Sequence, residues 1–75
     1  MMKQPVVSAK KLIKALSKIG YVAHHQRGSH ITLKNRNPPH KRIVVPNHRE
    51  IAKGTLRGIL EDAELTTNEL LELLD

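Results

Sequence analysis

Tyr21-Val22-Ala23-His24-His25-Gln26-Arg27-Gly28-Ser29-His30-Ile31-Thr32-Leu33-Lys34 is the stretch that decides the fold. From Tyr21 the sequence takes a period of two, and Gln26-Arg27-Gly28 supplies a turn before the second arm, so the segment predicts a β-hairpin. In that second arm Ile31 and Leu33 share one face, while His30, Thr32 and Lys34 share the other. Burying the aliphatic face against helices leaves His30 in solvent.

Working outward, the residues before the hairpin read as a helix. Ser8 is a good N-cap, Leu12, Ile13, Leu16 and Ile19 recur at three- and four-residue spacing, and Gly20 closes the segment, which predicts an amphipathic helix over 8–19. Its opposite face carries Lys10, Lys11, Lys14 and Lys18, a basic ridge. Residues 1–7, with Pro5 before Val6 and Val7, are expected to be a short extended lead-in. After the hairpin, the turn-rich Asn35-Arg36-Asn37-Pro38-Pro39 precedes a third strand from Lys41 to Val45 that Pro46 ends.

Asn47 followed three residues later by Glu50 resembles a helix start, weakened by Gly54 in what would be the first turn or two. Ala52, Leu56, Ile59, Leu60 and Ala63 form an apolar stripe that predicts a second long helix over 52–63. Gly54 and Gly58, four apart, are expected to let this helix approach the sheet closely, or to have no role beyond the turn. Thr66 and Glu69 make a capping box ahead of Leu70, Leu71, Leu73 and Leu74, a short terminal helix. The order is therefore α-β-β-β-α with one more short helix, an α+β class, and residues 1–75 are expected to form one domain.

Seventy-five residues are a small core's worth of chain: folding at this size buries only about 60% of the surface that the unfolded chain exposes. With ten Leu, six Ile and five Val but neither Phe nor Trp, that core must be aliphatic. A single Tyr21 cannot build the stacking platform on which modules for single-stranded RNA hold bases. Absence of Cys removes disulfides, thiolate metal ligands and thiol nucleophiles, and fits a reducing cytoplasm. Apolar runs reach only about three residues, against roughly 20 for a membrane span, so a soluble, unexported protein is expected.

The net charge of +6 conceals a sharp division. All thirteen Lys and Arg fall within residues 1–57, and six of the seven Asp and Glu lie in residues 61–75. Residues 1–60 therefore carry +12 and the last fifteen −6, and a segment of +12 is an electrostatic footprint for phosphate.

The chemistry open to such a chain is narrow. Glu50 stands alone in the basic region, so paired carboxylates for glycoside hydrolysis or for a two-metal nuclease are missing. No P-loop, serine triad or zinc constellation is present, and no cofactor or metal is expected. His24 and His25 are adjacent and, in a regular strand, point to opposite faces, a poor geometry for one ion. What remains is RNA, whose 2′-OH is an internal nucleophile beside every phosphate. One exposed imidazole can take the 2′ proton or protonate the leaving oxygen, while Lys or Arg steadies the transition state. DNA lacks that hydroxyl. Among the five histidines His30 fits best: it follows Gly28 and Ser29, faces away from Ile31 and Leu33, and has Arg27 and Lys34 nearby. Gly28 lets a phosphate approach the backbone, or is simply a turn residue. Lys34, Lys41 and Arg42 are the expected RNA contacts in or beside the strands, with Lys10 and Lys14 of the first helix second. His24 and His25 are the next catalytic candidates.

Gly20-Tyr21, Arg27-Gly28-Ser29-His30, Val45-Pro46-Asn47-His48 and Lys53-Gly54-Thr55-Leu56-Arg57-Gly58-Ile59-Leu60, in that order and spacing, resemble the HicA toxin family of type II toxin-antitoxin systems. The resemblance runs from the first helix to Leu74. It implies a double-stranded-RNA-binding-domain-like fold, with a three-stranded antiparallel sheet and helices on one face. It implies also an mRNA interferase that halts translation and is neutralised by a HicB antitoxin, with no DNA binding by the toxin alone. The family's catalytic histidine falls on His30 through the Gly-Ser-His match. His48 matches a common family position after Val-Pro and is expected to serve as a hydrogen bond at the start of the second helix. The competing reading is a non-catalytic RNA-binding or interaction module on the same fold.

Overall fold

The structure, a computed structural model, describes residues 5–74. Its elements follow the expected order: α1 (Ala9–Ser17), β1 (Tyr21–Arg27), β2 (His30–Asn35), β3 (Arg42–Pro46), α2 (Lys53–Ala63) and α3 (Thr67–Leu73). The three strands pair antiparallel in the order β1-β2-β3, so β2 is central and the sheet is a plain meander.

Alternation along β2 and β3 sorts side chains between two faces. Register places Ile31 opposite Val45 and Leu33 opposite Ile43 on the inner face, where Leu33, Ile43 and Val45 are almost wholly removed from solvent. Against them pack Ala9, Leu12, Ala15 and Leu16 of α1, Leu56, Ile59 and Leu60 of α2, and Leu70 of α3. Tyr21 closes the near end of this cluster, and no polar or charged residue is buried among the described residues. Tyr21 aside, the buried side chains are aliphatic and need no hydrogen-bond partners, which suits so small an interior.

Local signals explain most element ends. Ser8 Oγ accepts from the Lys11 amide at 3.2 Å, the expected N-cap of α1. The helix stops at Ser17, two residues short of the expected Ile19, because residues 18–20 turn tightly: the Gly20 amide bonds the Ser17 carbonyl at 3.2 Å, and Gly20 takes φ +100°. A Cβ at Gly20 would also sit 2.6 Å from Asn35 Oδ1, so this position requires glycine on two counts. At the other end, the reciprocal capping box is formed: Glu69 N donates to Thr66 Oγ1 at 3.1 Å, and Thr66 N to Glu69 Oε1 at 2.9 Å.

Three expectations need correction. The turn of the hairpin is Gly28-Ser29, with Gln26 and Arg27 still in β1; Gly28 takes φ +58° and Ser29 a negative φ, the pattern of a type II′ turn. Asn47 and Glu50 do not start a helix. The chain over 47–52 is instead tied to the segment before α1, through Ala9 N to the His48 carbonyl and Ile51 N to the Val7 carbonyl, both at 2.9 Å. Val7 and Ile51 are both buried, and these long-range bonds outweigh a local cap signal. Helix α2 then begins at Lys53 without a side-chain cap. Finally, Gly54 and Gly58 have no atom within 4 Å of the position a Cβ would take, so they do not mediate close packing on the sheet. Residues 1–4 of the expected lead-in lie outside the described residues; residues 5–8 have no regular structure.

Candidate nucleic-acid interface

The outer face of the sheet is built by the same alternation that builds the core. Cross-strand register arranges it in rows. Arg27, His30 and Pro46 form the row nearest the hairpin turn; His25, Thr32 and Val44 form the next; Val22, Lys34 and Arg42 form the third. None of the three strands contains an Asp or a Glu, so the face carries cations and imidazoles with no local counter-charge.

His30 is the first residue of β2 and is exposed. The turn beside it is fixed from both sides: Gln26 Nε2 donates to the Gly28 carbonyl at 3.2 Å, and the Asn47 amide to the Ser29 carbonyl at 2.6 Å. No Cβ-sized obstacle lies near Gly28, which leaves its backbone open to an incoming phosphate. Arg27 stands directly across from His30. Lys34 lies four residues further along β2, about 13 Å away at strand rise, with Arg42 across from it. Arg27, Gly28, Ser29, Lys34 and Arg42 thus gather with His30 on or at the edge of one surface.

The remaining candidates do not. Lys41 precedes β3 and turns toward the end of α2, where its Nζ donates to the Asp62 carbonyl at 3.2 Å and pairs with the Glu64 carboxylate at 3.5 Å. Its charge serves the carbonyl end of that helix. Lys10 and Lys14 stand on the side of α1 away from buried Leu12 and Leu16, which puts them on the helical layer and not on the outer face of the sheet with His30. His48 is exposed five residues before α2 and makes no hydrogen bond at the start of that helix; its carbonyl instead accepts from the amide of Ala9, the first residue of α1, and its own amide bonds the Pro46 carbonyl.

One feature escaped the sequence reading. Ala23 pairs with Leu33 but His25 pairs with Thr32, so His24 is an extra residue, a β-bulge in β1. Strict alternation would send His25 inward. The bulge resets the phase and puts His25 on the outer face with Thr32 and, one row away, His30. Counting outward from Ala23, His24 leaves the inner face as well. The far half of β1, from Ala23 to Arg27, is exposed throughout. No hydrogen bond among the described residues engages the rings of His24, His25 or His30. Nor do the described residues contain a group of three or more His, Asp or Glu placed to hold a metal ion.

The family model for the HicA toxin of bacterial toxin-antitoxin systems matches residues 9–65, from the first residue of α1 to the turn after α2. The chain belongs to the HicA toxin family. A search of curated proteins finds no match. Membership makes the chain the toxin of a toxin-antitoxin system and implies a cognate antitoxin as its partner. The HicA match covers the whole sheet with its exposed histidines, and no helix among the described residues is long and apolar enough to cross a membrane.

Proposed function

We propose that this HicA toxin is a metal-independent endoribonuclease that cleaves mRNA with His30 as a catalytic residue. The observation that carries the reading is the placement of His30: exposed, at the mouth of a rigid glycine turn, opposite Arg27, on a face without carboxylates. Such a face attracts a polyanion and offers an imidazole at the phosphate, while the substrate supplies its own nucleophile in the 2′-OH. Arg27, Lys34 and Arg42 hold the backbone, and Gly28 and Ser29 bring main-chain groups within reach of a phosphate oxygen. With no Phe or Trp in the chain and Tyr21 buried on the inner face, the outer face has no large aromatic platform for stacking bases, so discrimination among sequences is weak. Neutralisation follows from the same geometry. A HicB-type antitoxin that lays acidic groups over the outer face would exclude RNA sterically and match the charge.

The test compares the parent protein with His30→Ala. The parent should cut RNA in EDTA, and a substrate with 2′-deoxy at the cut site should resist. His30→Ala should melt within about 0.5 kcal/mol of the parent and bind RNA equally, while single-turnover cleavage falls on the order of 100-fold or more. RNA binding by the parent without any cleavage in EDTA would replace this reading with that of a non-catalytic RNA-binding module.

A further inference from the structure

We infer that His25 is a second catalytic imidazole, acting on the same phosphate as His30. The inference rests on the endoribonuclease reading and extends it to a residue that strand alternation alone would have hidden.

Cleavage by the 2′-OH is an in-line displacement. The entering O2′ and the leaving O5′ occupy opposite apices of the phosphorus, so a single imidazole reaches one end at a time. A second proton-transfer group on the far side of the phosphate removes that limit. On this surface the bulge at His24 supplies one. His25 is opposite Thr32, and His30 is two residues from Thr32 on the same face, which makes His25 and His30 diagonal neighbours across β1 and β2. Such neighbours are separated by about 7–8 Å between backbones, enough for two imidazoles to flank one phosphate group. Arg27, directly across from His30 and two residues beyond His25, lies beside the same gap and can hold a non-bridging oxygen. His24 is the unpaired residue of the bulge and lies one position farther from the row of Arg27 and His30.

The proton inventory closes without any other reactant. As the bond from O2′ to phosphorus forms, one imidazole takes the 2′ proton. As the bond from phosphorus to O5′ breaks, the other imidazole, protonated at the start, gives its proton to O5′. The products are a 2′,3′-cyclic phosphate and a 5′-hydroxyl end, and exchange with water returns the two rings to their starting states.

The experiment uses the full chain free of antitoxin, with His24→Ala, His25→Ala and His30→Ala compared in single-turnover cleavage, RNA affinity and melting temperature. Two substrates are needed: an ordinary RNA, and the same RNA with sulfur in place of the bridging 5′ oxygen at the cut site. A thiolate leaves without being protonated, so a variant lacking only the proton donor regains its rate on the second substrate. The expected result is a drop of about 100-fold for His25→Ala on ordinary RNA, with affinity and melting unchanged. Recovery on the sulfur substrate should then appear for only one of His25→Ala and His30→Ala, and that variant identifies the donor. His25→Ala cutting at the parental rate, an equal loss in His24→Ala, or recovery of both or neither variant would overturn the inference. If the parent and His30→Ala behave as proposed while His25→Ala is unimpaired, only this inference fails. If the parent cuts no RNA at all, the endoribonuclease reading fails and takes the inference with it.

Discussion

Val44 and Val45 are adjacent, chemically identical and differently employed. Val45 is fully buried against the helices, whereas Val44 is 50% exposed on the outer face beside Thr32. The difference is the difference between the two faces of the sheet. One carries Tyr21, Leu33, Ile43 and Val45 into the core and makes the fold; the other holds imidazoles, lysine and arginine and is available to a ligand. Because the strand period is two, neighbouring residues serve unrelated ends, and a change on one face has little call on the other.

The sharpest way to break that comparison is to make the same substitution twice. Val45→Ala should cost about 2–3 kcal/mol, through lost burial and an unfilled cavity. A chain of this size has roughly 4–11 kcal/mol of stability in all, so denaturant melts should show a clear fall in midpoint. Val44→Ala should move it by about 0.5 kcal/mol or less. Comparable losses would mean that the outer face is covered in the free protein. A smaller effect separates the outer face from the helical layer. RNA affinity should fall with salt by a log-log slope of several units, and Lys34→Ala with Arg42→Ala should lower that slope by about 2. Lys10→Ala with Lys14→Ala should leave it nearly unchanged, as measured by binding titrations between low and physiological salt. If the α1 pair proves to carry the slope, RNA is held on the helical layer and reaches His30 around an edge.

The smallest expected change strengthens the helical layer without touching the outer face. Glu64 ends α2 in the left-handed region, φ 57°, with the Leu65 amide bonded back to the Leu60 carbonyl at 2.9 Å. Glycine adopts that conformation without a Cβ penalty. Glu64→Gly gives up only an exposed ion pair to Lys41, so a net gain of about 0.5 kcal/mol is expected, or roughly 2–4 °C in melting temperature. Cleavage should be unaffected.

The features legible in the sequence are those that neighbours in the chain decide. Alternation around Ile31 and Leu33 placed His30 outside; Ser8, and Thr66 with Glu69, marked helix starts that form as read. What misled were signals that distant residues override. Asn47 and Glu50 have the spacing of a cap, yet Ile51 is held by Val7, more than forty positions earlier. Lys41 reads as a strand-edge cation, but the end of α2 claims it. The bulge had no mark at all. His24 and His25 are both polar, so neither phase of β1 offends the hydrophobic pattern, and only pairing with β2 reveals which residue is extra.

That extra residue also makes β1 tolerant of a change in length. Deleting His24 would leave Ala23 next to His25, with Ala23 still opposite Leu33 and His25 still opposite Thr32, now in unbroken alternation. Arg27, the turn and everything after it would keep their partners. The strand therefore holds a slack position at which one codon can be lost without flipping a side chain elsewhere, and homologous chains that lack a residue between Ala23 and His25 should align again at the turn.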